Sequence, residues 1–429
     1  MDGLISPGNK PGGHGEIMFR PFIVASTLLL AASPALAGPA GDTLKQALYS
    51  GTLAEGLATL QPMAASGDTE AAFGVGSIKL TLALGHFVQT LYKHGFDLPN
   101  GRAAGLQQPA IPQNPAPEPF DYDGVRAMLS TLVTELDDAR ASFDAAGKSG
   151  DYVIEVNPLK VAVDANGDGK AEPGESLAGL MAFSTHASID DVLAPPGDVP
   201  HLEVIGFDRA DAYWLAGYTE VVAAQADFLL AHDFSSFVNA TFHRFFPKAG
   251  FPMQAYAEGG RLMFDPDTDT GIADLVAAIH TISWPVTDPA RLSGVRDRLK
   301  AVLGYSRQDW DAILAETDDN HELLPSPKQT SMVPEATITD ERVAAWRATL
   351  DEADKILDGT LLVPHWRFKQ GFDLKAYFTS AKKTDLVMLL TGADAVPYIK
   401  DGPVASTEDF RAIQAAFGND WLGYAFWFN

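Results

Sequence analysis

The chain has 429 residues, 46% of them hydrophobic, which suits a folded globular protein and excludes wholesale disorder. Lys plus Arg number 31 against 56 Asp plus Glu, a formal net charge of −25. That acidity excludes nucleic acid as a partner, because phosphate binding needs a basic face. The absence of cysteine excludes disulfides, thiolate metal sites and iron–sulfur clusters.

Met18-Phe19-Arg20-Pro21 forms a short positive region, Phe22 to Ala32 an apolar stretch, and Ala35-Leu36-Ala37 a small-x-small site. That order predicts a signal peptide cleaved before Gly38, with residues 1–17 as an extension ahead of it. The apolar stretch is too short to span a bilayer, and no later apolar run looks long enough. The expectation is a soluble chain, periplasmic or secreted, without a transmembrane segment after cleavage.

Helical patterns dominate from there. Asp68-Thr69 opens a helix running to about Lys93 and closed by Gly95. Its apolar residues cover most of its circumference, as in a central buried helix. Residues 106–119 form a Pro-rich linker, and Asp123 caps a helix over about 124–146. Leu159, Val161 and Val163 alternate with Lys160 and Ala162, so 152–163 reads as a strand. Leu177, Leu180, Met181 and Phe183 mark a short helix, and 193–206 a loop with a short strand. Asp208 or Asp211 starts a long helix to about His232; both read as helix-start residues rather than a catalytic pair. Further helices are expected near 235–245, 271–282, 289–303, 306–316, 340–357, 374–381 and 407–417. Ser306 with Asp309 resembles a capping box at the head of the fourth of these segments. Three prolines between Thr317 and Thr339 mark a surface crossover. Trp421, Tyr424, Phe426, Trp427 and Phe428 form an aromatic segment expected to fold into the core.

The fold class expected is mainly α, an irregular helical bundle or solenoid-like array with a small extended insertion. Residues 1–37 would be extension and signal peptide, 38–320 the main helical domain, and 339–429 a C-terminal helical segment that could belong to the same domain.

Inside the insertion, Asp164-Ala-Asn166-Gly-Asp168-Gly169-Lys170-Ala-Glu172-Pro-Gly-Glu175 satisfies the pattern D-x-[DN]-x-[DN]-G-x5-E at every specified position. Alternate spacing lets a curled backbone turn the Asp164, Asn166 and Asp168 side-chain oxygens inward. Gly169 permits the sharp turn, and a hard cation wants six to eight such oxygens. The segment resembles an EF-hand calcium loop. That resemblance implies Ca2+ as the ion, with Asp164, Asn166, Asp168 and the Lys170 carbonyl as ligands. Glu172 would act through a water and Glu175 as the bidentate carboxylate. A full EF-hand has a helix on each side, whereas here the preceding segment reads as extended, with Pro158 close by. The loop is more similar to single dockerin-type loops, which implies structural calcium rather than a helix-opening switch. Affinity is expected on the order of 10⁻⁵ to 10⁻³ M.

A second acidic run, Asp265-Pro-Asp267-Thr-Asp269-Thr-Gly271, has Thr270 where the turn glycine belongs and Val276 in the last ligand position; it reads as a loop entering a helix. Catalytic motifs are missing: no H-E-x-x-H, G-x-S-x-G, G-x-x-x-x-G-K-[ST] or G-x-G-x-x-G occurs. Ser380-Ala-Lys-Lys383 matches S-x-x-K without its partner motifs. His86 reads as a hydrogen-bonded core residue, and His232 and His243 could approach across a bend. Tyr213, Trp214 and Tyr218 read as core packing rather than a sugar groove. The functional expectation is an exported, calcium-binding, non-enzymatic scaffold or binding protein whose partner is an envelope or extracellular protein or glycan. The alternative is a secreted, calcium-stabilised hydrolase acting on polysaccharide or peptidoglycan.

Overall fold

The computed structural model describes residues 38–97, 113–179, 189–193, 204–256, 269–331, 338–406 and 427–428. All of these belong to one compact unit, Ala35–Asn429. The signal segment, the helix expected at 407–417, Asp265, Asp267 and three of the terminal aromatics lie outside the described residues.

The helices in chain order are α1 (Pro39–Ser50), α2 (Leu53–Ala65), α3 (Thr69–Lys93), α4 (Tyr122–Ala146), α5 (Ile189–Leu193) and α6 (Arg209–Leu230). They continue with α7 (Ser235–Thr241), α8 (Asp269–Thr281), α9 (Pro289–Ile313), α10 (Asp340–Leu357), α11 (Leu374–Ser380) and α12 (Leu386–Thr391). Strands are two or three residues long and antiparallel. β1 (Ile154–Val156) pairs β2 (Ile205–Phe207), and β3 (Ser283–Pro285) pairs β6 (Lys383–Asp385). β5 (Gly371–Phe372) lies between β4 (Val363–Pro364) and β7 (Ile399–Lys400). The fold is mainly α, an irregular bundle with short strands pinning loops.

Four long helices form its spine: α3 packs on α4, α4 on α6, and α6 on α9. Helix starts follow from the caps. Asp68 accepts a hydrogen bond from Ala71 N at 3.0 Å, and Asp121, not Asp123, caps α4 by accepting from Gly124 N at 2.8 Å. Phe73 of α3 is buried edge-on against Phe143 of α4, ring centroids 5.8 Å apart. Burying each such ring contributes about 1.5–3 kcal/mol. Charge joins the helices as well. Arg298 of α9 bonds Asp137 of α4 and both Glu220 and Asp227 of α6, at 2.7–2.9 Å.

Several expectations change. α3 is long and apolar enough to cross a membrane, a property the sequence reading had not given it. Half of its most apolar stretch is buried here, and α1, α2 and α4 pack on it. α1 and α2 precede the first helix expected. The helices expected at 289–303 and 306–316 are one continuous helix, α9. Ser306 is no cap: its hydroxyl donates to Phe428 O at 3.2 Å and accepts from Trp346 Nε1 at 2.9 Å. The strand expected over 152–163 is shorter. After β1, Pro158 starts a single 3-10 turn, Pro158–Lys160, and a lone antiparallel bridge joins Ala162 to Ser176. Phe428 is fully buried against Trp310 and Trp346, so the described part of the terminal aromatic segment does fold into the core.

Candidate metal-binding sites

The 164–175 segment is held at both ends. Ala162 N donates to Leu48 O of α1 at 2.9 Å, and Gln89 Nε2 of α3 donates to Asp164 O at 2.7 Å. Ala171 approaches the α1–α2 turn so closely that a Cβ on Gly51 would lie 2.4 Å from the Ala171 Cβ. Between these anchors the backbone curls. Gly167 and Gly169 take φ of 77° and 86°, the left-handed region that a side chain penalises.

Asp164 supplies the centre of the curl. Its Oδ1 accepts from Gly167 N at 2.7 Å and Asp168 N at 3.2 Å, and its Oδ2 from Gly169 N at 2.9 Å. Asn166 Oδ1 accepts from Asp168 N, and Asp168 Oδ1 from Lys170 N. Glu175 is buried and closes the loop from its far end. Its Oε1 accepts from Ala165 N and Asn166 N at 3.1 and 3.2 Å, and its Oε2 from Glu172 N at 2.9 Å. Extended chain and the 3-10 turn lead in, and residues 177–179 lead out as helix. The donor set is hard oxygen throughout, the chemistry calcium requires. The carboxylates of Asp164, Asp168 and Glu175 are not gathered within 4.8 Å of one another; their oxygens accept from loop N–H groups instead.

A second acidic group is gathered. One carboxylate oxygen each from Asp208, Glu316 and Glu322 lies within 4.8 Å of the other two. Asp208 is the N-cap of α6, as the sequence reading had it. It forms a reciprocal capping box: Oδ1 accepts from Asp211 N at 3.4 Å as well as from Ala210 N at 2.6 Å, and Asp211 Oδ2 accepts from Asp208 N at 2.8 Å. Glu316 follows the end of α9, where Gln329 Nε2 donates to its Oε2 at 3.1 Å. Glu322 is carried in by a tight contact. Gly206 N of β2 donates to His321 O at 3.1 Å, and His321 is held at φ 61°. A Cβ on Gly206 would lie 2.2 Å from Asn320 O, so only glycine permits that approach.

Two more carboxylates back the group. Asp211 is buried, and Asp309 of α9 is 1% exposed, with its Oδ2 lacking any hydrogen-bond partner. Burial and the neighbouring charge of Asp208 hold Asp211 and Asp309 well above the usual carboxylate range. The same causes push Glu316 up to about 9 and Glu322 to about 7. Asp208 is raised too, chiefly by burial. A cleft of about 180 Å³, lined by Tyr152, Asp208, Arg209, Glu316 and Asp318 among others, opens beside the group. Sequence reasoning missed it because its members lie up to 114 positions apart; the only local signal was the pair Asp208 and Asp211.

Among the described residues, the histidines do not form a metal site. His232 uses both nitrogens, Nδ1 toward Phe228 O and Nε2 toward Thr384 Oγ1, each at 2.6 Å. His86 is exposed rather than in the core, and its Nδ1 pairs Glu135 Oε1 at 2.8 Å. Tyr213 donates to Gly147 O and Trp214 Nε1 to Trp427 O, so both help pack the helices.

No family model matches the chain, and no curated protein or solved structure matches it. Function therefore rests on the chemistry of these residues.

Proposed function

We propose that the protein is an exported, non-enzymatic scaffold or binding protein whose insertion binds one structural calcium ion through the 164–175 loop. One observation carries the reading: a segment matching the calcium-loop pattern at every position is curled on Asp164 and closed by buried Glu175. Asp164, Asn166, Asp168 and Glu175 would bind through side-chain oxygens and Lys170 through its carbonyl. The ion would then tie the 154–179 segment to α1 and α3, the helices that already anchor it. Export is supported by the order of residues 18–37, and an envelope or extracellular protein or glycan is the partner in view. The gathered carboxylate group gives the hydrolase alternative little support. The cleft beside the carboxylate group, about 180 Å³, is small against the roughly 300–1,000 Å³ of typical ligand sites.

The test is calorimetric titration of EDTA-stripped protein with calcium, with thermal unfolding in parallel. Wild type should bind calcium and melt higher with it. Asp164→Ala and Glu175→Gln should each remove one equivalent. Unchanged uptake in both variants would reduce the loop to an acidic turn.

A further inference from the structure

The group at Asp208, Glu316 and Glu322 stands apart from the loop in residues and in place. Its three oxygens, all within 4.8 Å of one another, match the spread around one ion whose oxygens lie at about 2.3–2.6 Å, since opposed ligands are then at most about 5 Å apart. The residue types agree. Three carboxylates set together, with no described ion pair to a basic side chain, are the hard-oxygen set that a divalent cation takes.

A second observation is independent of that spacing. Asp309 is 1% exposed, and its Oδ2 has no hydrogen-bond partner. Buried polar atoms are nearly always satisfied, and an orphan asks for an explanation such as an ion or water. Asp309 feels the charges of Asp208 and Glu316, so it lies near the group. Asp211 is already committed, since its Oδ2 accepts from Asp208 N. The cleft lined by Tyr152, Asp208 and Glu316 supplies a route in from solvent.

We infer that Asp208, Glu316 and Glu322 hold a hard divalent cation of calcium size, and that Asp309 accepts a hydrogen bond from a water bound to that ion. The ion would join three pieces of chain at one point: the start of α6, the residues after α9, and the turn at His321 that meets β2. It belongs to the α6–α9 core, whereas the loop ion would belong to the insertion.

Calcium calorimetry on the EDTA-stripped full chain tests this, repeated with manganese as the probe. The variants are the double substitution Glu316→Gln with Glu322→Gln, the single substitution Glu322→Gln, and the loop variant Glu175→Gln. Wild type should bind two equivalents, and the loop variant one. The double variant should also bind one, while melting in EDTA no lower than wild type, because each amide keeps the oxygen that accepts from Asn320 N or Gln329 Nε2. Should the double variant fail to fold, the loop variant still decides: one remaining equivalent, weakened at least tenfold by adding Glu322→Gln, supports the site. Zero equivalents in the folded loop variant, or two in the folded double variant, would overturn it. A wild type binding one equivalent that the loop variant keeps and the double variant loses would overturn the loop reading and leave this one standing.

Discussion

Gly206 shows how one missing side chain positions a charge. Its Cα meets Asn320 O so closely that any Cβ would clash, and that contact delivers Glu322 to the carboxylate group. Gly206→Ala should cost about 1–3 kcal/mol in urea unfolding, as overpacked sites do. His232 offers a titration of known sign. Burial lowers its pKa below the usual 6.5, with both nitrogens bonded while the ring is neutral. Below pH 6.5 the unfolded chain takes up a proton that the folded ring refuses, so folding stability falls as pH falls through that window. His232→Gln should flatten this component: the difference between variant and wild-type urea midpoints should narrow from pH 7 toward pH 5. A parallel pair of profiles would rule it out. Residues also show what a sequence hides. Asp208 was legible as a helix cap because capping is a local bond over three residues. Asp309 read instead as a capping-box partner of Ser306, because only the folded chain brings it near Asp208 and Glu316.

At the scale of elements, the same contrast separates α3 from α9. α3 announced itself through a cap at Asp68 and a nearly continuous apolar surface. α9 looked like two helices because Ser306 with Asp309 resembles a capping box, but Ser306 bonds Trp346 and Phe428 instead of its own backbone. Tertiary partners overrode the local cap signal. α1 and α2 were missed; α2 carries Pro62 in its body and is short. The junction of α4, α6 and α9 depends on Arg298, which bonds three carboxylates on two neighbouring helices. Asp137 is held below the usual carboxylate range mainly by that hydrogen bond. Arg298→Met would leave Glu220 with Arg140 and Asp227 with Arg291, and Asp137 with only its longer 3.8 Å contact to Arg140. It should destabilise by about 1–3 kcal/mol, read by chemical denaturation. Arg298→Lys should recover only part of the loss, since an ammonium cannot reproduce the guanidinium fork.

For the whole molecule, the fold class was legible because helical periodicity repeats along most of the chain. The arrangement of the bundle was not, since nothing local says that α4 lies between α3 and α6. Phe428 ties that arrangement together. It fills a pocket of Trp310 and Trp346, and its carbonyl accepts from Trp310 Nε1 at 3.0 Å. Phe428→Ala should cost about 3–5 kcal/mol, measured by denaturant midpoint, with the neighbouring tryptophan fluorescence shifted to longer wavelength.

The place of Phe428 also sets an order of events in time. The cluster it completes includes Ala210, Trp310 and Trp346, so the pocket must close a loop of more than 200 residues. Synthesis delivers the N-terminal part first, at about 5–20 residues per second. α1 through α4 can therefore associate while the tryptophan pocket waits, open and apolar, for a piece of chain not yet made. A ribosome-stalled chain ending before residue 427 should be cut by protease near α9 and α10 but not within α3 and α4.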